Sequence, residues 1–502
     1  MADQAKPPAK SPGKSLAELG LTAQGAREAR ITGLSVDSRE VKDGHLFAAL
    51  PGSRVHGGAF IQFALRMGAG AVLTDRDGAQ IAQAELAASD AALIIAQDPR
   101  QALAYAAALW FERQPEVVVA VTGTNGKTSV ATFTRQIWSL LGLPSVNLGT
   151  TGVEGAWDFP LAHTTPEPIT LHRTLSAIAA REIEYVAMEA SSHGLAQRRL
   201  DGVKVSAAAF TNLSQDHLDY HADLNEYFDA KSGLFRRILS DDGAGVVNLD
   251  DPRGAEIADI VMDRGLDLIT VGHGPEANLR IRAQRYDATG QELRFDWNGR
   301  PHQVRLDLIG GFQAENVLTA AGLVIASGCD PARTFDCLHD LQGVRGRMQL
   351  AATRENGGAV FVDFSHTPEA LKTALKALRP HVLGRLIVVF GAGGDRDPYK
   401  RPMMGAAAQT YADVVFVTDD NPRSENPAEI RAAVLAGCPE ATEVGDRAEA
   451  ILRGVDALQP GDALLVAGKG HETGQIVGDD VFPFDDVEQS SVAVAALDGR
   501  LV

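Results

Sequence analysis

Cysteine is nearly missing from this chain: only Cys329, Cys337 and Cys438 occur in 502 residues. An odd count without paired spacing excludes a disulfide framework and a cysteine metal knuckle. The expectation is reduced, structural thiols in a cytoplasmic protein. Long apolar runs are absent as well. No stretch approaches the roughly 18 residues that cross a bilayer, and residues 1–14 hold Lys, Pro, Ala and Ser but no apolar core of a signal peptide. Residues 1–15 are expected to be a disordered extension. Positive charge is in deficit, with 47 Lys and Arg against 65 Asp and Glu and a formal net charge of −18. That balance argues against duplex nucleic acid and against an anionic membrane surface as partners. Small anionic substrates stay open, because local Arg and Lys can override a global acidic balance.

Glycine, by contrast, is plentiful at 50 residues, as suits an α/β chain with many short βα turns. The length implies roughly three domains. A first block, 16–114, alternates short strands at 44–50, 71–74 and 92–96 with helical patterns and closes on a helix over 101–113. Gln114-Pro115 reads as its linker. A second block, 115–342, holds buried strands at 117–121, 184–189 and 207–211, a strand at 246–248, a β-rich excursion near 280–308 and a helix over 313–327. A third, 343–502, alternates strands at 359–363, 385–390, 414–418 and 463–467 with helices, the pattern of a second doubly wound sheet.

The most specific stretch is 117–129. A β-branched run ends in a Gly-rich turn before a helix, the setting in which G-x-x-x-x-G-K-[ST] cradles phosphate. Thr122 stands in place of the first glycine, so the loop T-G-T-N-G-K-T is tight. Backbone N–H groups of Gly123, Thr124, Asn125 and Gly126 can approach phosphate oxygens. Lys127 would reach the terminal phosphates, and Thr128 offers a hydroxyl to Mg²⁺. The plain alternative is a solvated turn before an amphipathic helix.

Further along, Glu189 ends one strand and His217 follows another, so a doubly wound sheet would bring both to the edge that carries Thr128. Thr128, Glu189 and His217 could hold a hard cation, although Mg²⁺ prefers oxygen; otherwise Glu189 caps a helix and His217 bonds within its loop. Lys231 lies within the face formed by Tyr227, Phe228, Leu234 and Phe235. A buried ammonium must be paired, neutralised or modified, unless its stem alone is buried and the charge snorkels to water. In the third block, 391–397, 419–423 and 468–472 follow three apolar strands and deliver Arg396, Asp420, Arg423 and Glu472 to one edge. Two guanidiniums and two carboxylates suit a ligand with both ammonium and carboxylate groups; taken singly, each could be a cap or a surface ion pair.

Taken together these motifs resemble the Mur ligases of peptidoglycan synthesis over nearly the whole chain. They are Asp37-Ser38-Arg39, Thr122 to Thr128, His163-Thr164-Thr165-Pro166, Met188 to Gly194, Ala230-Lys231, Gly346-Arg347-Met348, Asp363 to Pro368, Asp395-Arg396-Asp397, Asp420 to Arg423 and Gly468 to Glu472. The resemblance implies an N-terminal domain for a UDP group, a central P-loop ATPase-like domain with a parallel or mixed sheet, and a C-terminal Rossmann-like domain. It implies that ATP phosphorylates the D-Glu γ-carboxylate of UDP-MurNAc-L-Ala-D-Glu and that an amine of meso-diaminopimelate attacks the acyl phosphate. Val36, Ser38, Ser53, Arg54 and Val55 would meet the UDP end, and His163, Thr164, Thr165, Ser191, Gln197 and Arg199 the muramoyl-dipeptide. Asn316, Arg347 and Asp363 would join the phosphate loop around ATP. Arg396, Asp420, Asn421, Pro422, Arg423, Gly468 and Glu472 would take diaminopimelate, with Arg423 receiving the carboxylate that lysine lacks. Lys231 resembles the family's carbamylated lysine and would hold a second Mg²⁺, beside Thr128, Glu189 and His217; Lys127, Lys231 and His217 would be catalytic. A monomer is expected. His163, Arg345, Gln349, Phe364 and Ser365 depart from the family pattern, which has Asn, Pro, Glu, Tyr and Ala there. The competing readings are a lysine-adding or folylpolyglutamate-type ligase of the same fold and a non-catalytic nucleotide-binding protein.

Overall fold

The computed structural model describes residues 13–52, 55–216 and 220–500. Its three principal sheets follow the three blocks of the sequence. In the first, strands Gly33–Ser35, His45–Ala48, Ala71–Thr74 and Ala92–Ile95 run parallel in chain order. Leu34, Leu46, Leu73 and Ile94 pack on Leu103, Ala106 and Ala107 of helix Pro99–Phe111. That helix starts where Asp98 caps it and Pro99 pre-sets the first turn. Lys14–Ser15, assigned to the extension from composition, pair instead with Arg30–Ile31. The Lys14 ammonium bonds the Leu109 carbonyl at 2.6 Å, and Leu16 and Leu19 just beyond are buried, so the chain is tied down before residue 16.

The second sheet has ten strands. Val117–Thr122 lies at its centre between Val205–Phe210 and Tyr185–Glu189, parallel to both. Covered on both faces, such strands read as unbroken apolar runs. Val119 and Val121 face helices Lys127–Leu140 and Phe312–Ala326, while Val118 and Ala120 face Pro168–Ala179 and Gly254–Asp263. Leu239–Asn248 and Asp267–Gly272 extend the parallel part. The expected β-rich excursion is an antiparallel ribbon, Leu279–Asp287, Gly290–Trp297 and Arg300–Leu306. The parallel register aligns Glu189 with Val121 and Phe210 with Thr122. The phosphate loop and both neighbouring strand ends therefore open on one edge.

The third sheet orders its strands Gln349–Thr353, Ala359–Asp363, Ala463–Ala467, Leu386–Phe390, Val414–Val417 and Thr442–Glu443, all parallel except the first. The late strand Ala463–Ala467 inserts between two earlier ones, which makes a switch point with a crevice at the strands' carboxyl ends. Asp363 and Phe390 both sit beside Ala467 there.

Side chains join the sheets. His381 takes the Gly310 N–H on Nε2 at 3.1 Å, and its Nδ1 lies 2.6 Å from the Asp287 carbonyl. Gln101 bonds Asp201, and Arg198 bonds Asp98, between the first and second blocks. No helix among the described residues is long and apolar enough to cross a membrane.

Candidate active site

The loop after Val117–Thr122 is shaped by two glycines in left-handed conformations, Gly123 at φ 149° and Gly126 at φ 87°. Side chains would not fit: a Cβ on Gly123 would lie 1.9 Å from Thr211 Oγ1, and one on Gly126 2.5 Å from Asn316 Oδ1. Asn212 pins the turn from the neighbouring strand end, its side-chain oxygen accepting the Asn125 N–H at 2.9 Å and its carbonyl the Thr124 N–H at 2.8 Å. Helix Lys127–Leu140 begins at Gly126 with no side-chain cap, so its first N–H groups are available to an anion. Lys127 Nζ curls back on the carbonyls of Gly123 and Thr124, at 3.0 and 2.8 Å. Burial lowers its pKa.

Beside this loop Glu189 is buried. Both its oxygens lie 3.1 Å from the Thr128 hydroxyl, and it also accepts the Thr150 N–H at 2.7 Å and hydroxyl at 3.2 Å. Glu189 therefore faces the loop and does not cap a helix; Ser191 caps the one that follows. Lys231 is only 1 % exposed, which excludes the snorkelling alternative. It comes from helix Leu224–Gly233, whose buried face also carries Tyr227 and Phe228. Its Nζ donates to the Gly123 carbonyl at 2.7 Å and sits 4.4 Å from the centre of the Tyr227 ring. Burial, reinforced by the Lys127 ammonium, holds the amine well below the ordinary lysine pKa. His217 lies outside the described residues, as do Ser53 and Arg54.

On the same edge, Thr164 bonds Thr150, and the Thr165 hydroxyl donates to the Glu189 carbonyl at 3.0 Å and accepts the Ser191 N–H at 3.1 Å. Arg199 closes the group by bonding the Thr165 carbonyl at 2.6 Å and Gln197 Oε1 at 2.9 Å. Thus Thr164, Thr165, Ser191, Gln197 and Arg199 form one network adjoining Glu189. His163 is exposed and outside it. Val36, Ser38 and Val55 lie in the N-terminal block, with Val36 and Val55 exposed.

The third sheet brings Arg347 to this edge. Its Nη2 is 3.3 Å from Thr128 Oγ1, and the guanidinium carbon lies 4.6 Å from the centre of the Phe364 ring. Asp363 orients the Arg347 segment by accepting the Met348 N–H at 2.7 Å. Burial raises the Asp363 carboxyl despite the Ser365 hydroxyl and Arg347. Asn316 Oδ1 approaches Gly126 from the central block, so Arg347 and Asn316 meet at the loop while Asp363 stands behind Arg347. The departures fit locally: Gln349 accepts the Gly346 N–H, Ser365 bonds Asp363, Phe364 lies against Arg347, and Arg345 pairs with Asp485.

At the crevice of the third sheet, Arg423 holds φ 51° and donates to the Gly394 carbonyl at 2.8 Å. A Cβ on Gly393 would lie 2.9 Å from Arg423 Nη1 and 3.7 Å from Arg396 Cγ, so both guanidinium side chains flank one bare turn. Asp420 Oδ2 would meet a Cβ on Gly468 at 2.4 Å. Asn421 donates to Glu472 at 2.9 Å, and Pro422 is buried beside them. The sequence reading passed over Lys469, which is fully buried among these groups. A lysine between glycines directly after five buried apolar residues was the available signal. Asn212 and Thr150 were also passed over; both are polar residues at strand ends beside the loop.

Three family models match: the Mur ligase family catalytic domain over residues 30–111, the Mur ligase middle domain over 121–324, and the Mur ligase glutamate ligase domain over 346–470. The UDP-N-acetylmuramoyl-L-alanyl-D-glutamate–2,6-diaminopimelate ligase of Bradyrhizobium diazoefficiens is 48% identical over 472 residues, 93% of this chain and 95% of that protein. The ligase of the same name from Brucella melitensis is 46% identical over 473 residues, 94% and 95% of the two chains. A solved structure of a ligase of that name superposes with a TM-score of 0.70 at 32% identity, covering 97% of this chain and 99% of its own. The MurF ligase of Thermotoga maritima, solved with ADP, shares the fold at 16% identity and a TM-score of 0.60 over 93% of this chain and 98% of its own. With three models in chain order and relatives near half identity along almost its whole length, this chain belongs to the Mur ligase family.

Proposed function

We propose that this chain is the ATP-dependent ligase that joins meso-diaminopimelate to the D-Glu γ-carboxylate of UDP-MurNAc-L-Ala-D-Glu, working as a monomer in the cytoplasm to build a peptidoglycan precursor. One observation carries the reading: Arg347 of the third sheet reaches Thr128 of the phosphate loop at 3.3 Å. Two strand-end crevices, one suited to a nucleotide and one to a zwitterion, thus face a common space. The activity named for the relatives near half identity supports the choice of substrates.

A carboxylate is a poor electrophile, so the γ-carboxylate first attacks the γ-phosphorus of ATP, and ADP leaves. The amine then attacks the acyl carbon, loses a proton and expels phosphate. Charge developing on the transferred phosphoryl group is met by Lys127, by the N–H groups at the start of helix Lys127–Leu140, and by Arg347. Thr165, Ser191, Gln197 and Arg199 hold the dipeptide end beside Glu189.

The oxygen-rich pair Thr128 and Glu189 fits a hard divalent cation. Thr128, Glu189, His217 and carbamylated Lys231 would hold two Mg²⁺ ions, which supply charge neutralisation at the phosphates when bound. Lys231 suits the modification because its amine is buried and depressed in pKa: the neutral nitrogen adds to CO₂, one proton leaves, and the amine becomes a carbamate anion.

Arg423 and Arg396 receive the distal carboxylate of diaminopimelate, and Asp420 and Glu472 its ammonium. Phosphate release measured with the nucleotide dipeptide and each amino acid in turn tests this. Diaminopimelate should exceed lysine and glutamate by kcat/KM; a lysine preference would overturn the pocket assignment, and ATP binding without release would leave only a nucleotide-binding protein.

A further inference from the structure

The geometry points to Lys469 as the positioning residue of the amino-acid pocket, acting through Asn421 and Glu472 without touching the substrate. This rests on the pocket assignment above. Lys469 is 0 % exposed, and its Nζ donates to Asn421 Oδ1 at 3.1 Å, to Glu472 Oε2 at 3.2 Å and to the Gly474 carbonyl. Three donors and three acceptors leave the ammonium no capacity for a ligand.

What the ammonium does is set its neighbours. Asn421 Oδ1 accepts from Lys469 and from the Ile476 N–H at 2.9 Å, which turns the amide nitrogen of Asn421 to Glu472 Oε2 at 2.9 Å. Glu472 Oε2 therefore carries two donors, while Oε1 has no partner among the described residues and the side chain is 34 % exposed. One oxygen is anchored and the other is left without a protein donor among the described residues, the arrangement needed to receive a substrate ammonium. Lys469 also compensates the charge that would otherwise make this half-buried carboxylate costly.

The same hub reaches Arg423. Lys469 and Asn421 hold the segment Gly474–Val477 through Gly474 and Ile476. Ile476 in turn accepts the Arg423 N–H at 3.0 Å, and the Arg423 carbonyl accepts the Gly478 N–H at 2.8 Å. A non-glycine residue at φ 51° is strained and persists only where its surroundings hold it. These two bonds hold it. Gln475 adds a bond to the Asp420 carbonyl at 2.7 Å. Lys469 thus stands behind both the ammonium-binding and the carboxylate-binding ends of the pocket.

The test is a kinetic cycle on the full-length enzyme with Lys469→Met, Glu472→Gln and the double variant. Lys469→Met should raise the KM for diaminopimelate about tenfold or more, with kcat and the KM values for ATP and the nucleotide dipeptide within about twofold. Because the two share the Glu472 arm, the double variant should lose less than the product of the single losses, the remainder being the Lys469 effect carried through Asn421 and Gly474. The double variant buries no unpaired charge, so it supplies the comparison with Glu472→Gln even where Lys469→Met does not fold. Parallel increases in all three KM values, an unmoved diaminopimelate KM, or a double variant equal to the product of the single losses would overturn the assignment. Wild-type enzyme that releases no phosphate with diaminopimelate would defeat the pocket reading itself, an outcome distinct from these.

Discussion

Replacing Lys231 with methionine separates two consequences of one buried amine. Burial holds this amine well below the ordinary lysine pKa, and each unit of that depression costs the folded chain up to about 1.4 kcal/mol at a pH where the unfolded lysine is charged. Methionine matches the stem and carries no such cost. The Gly123 carbonyl still accepts from Lys127 at 3.0 Å, so no acceptor is stranded. Lys231→Met should therefore stabilise the unmodified protein at pH 8, and each kcal/mol gained should raise the Tm of the central body by about 2–4 °C. The sign with pH follows from a folded pKa below the unfolded one. The wild-type penalty shrinks by about 1.4 kcal/mol per pH unit as the unfolded lysine deprotonates, so the two proteins should converge towards pH 10. Scanning calorimetry in CO₂-free buffer reads this, and added bicarbonate should raise the Tm of the wild type alone. Turnover should meanwhile be lost, and in Lys231→Ala partly restored by short carboxylic acids that stand in for the carbamate. A methionine variant less stable at pH 8, with a gap that does not narrow at higher pH, would refute the view that burial disfavours the charged form of this amine.

The remaining expectations concern the two crevices. Lys127→Ala should abolish phosphate release, with a loss of at least about 10³-fold in kcat by single-turnover assay; normal activity would contradict the phosphate-loop assignment. Gly126→Ala introduces a Cβ 2.5 Å from Asn316 Oδ1 at φ 87°. It should weaken ATP binding about tenfold or more by titration calorimetry, whereas unchanged affinity would show that the loop tolerates a side chain. Arg423→Ala should raise the diaminopimelate KM by about 10–100-fold, the worth of a charge-assisted bond of roughly 1.5–3 kcal/mol. An equal rise in the KM for ATP would remove its specificity role.

The local features were readable for local reasons. The run Val117 to Val121 is apolar because its strand is covered on both faces, and Gly123 and Gly126 stand where left-handed backbone and close approach forbid a Cβ. Glu189 could be placed at the loop because parallel register carries strand ends to one edge. The residues alone left Lys231 undecided between burial and snorkelling. A hydrophobic face shows where a stem lies, but the depth of the nitrogen depends on what packs above it, here Gly123 and Tyr227. Lys469 was passed over for a related reason: its partners Asn421 and Gly474 come from separate strand ends and from the hairpin beyond, and no spacing rule links them.

By itself, then, the sequence determined the phosphate loop, the alternation of strands and helices in three blocks, and the chemical character of each strand end. Those properties follow from backbone sterics and side-chain periodicity within a few residues. Only the tertiary structure decided which strand ends meet. Arg347 and Thr128 stand 219 positions apart and touch because Ala463–Ala467 inserts beside Ala359–Asp363 and the third sheet docks on the second. Burial of Lys231 and Lys469 was settled in the same way, since the environment of an amine is a property of everything folded around it.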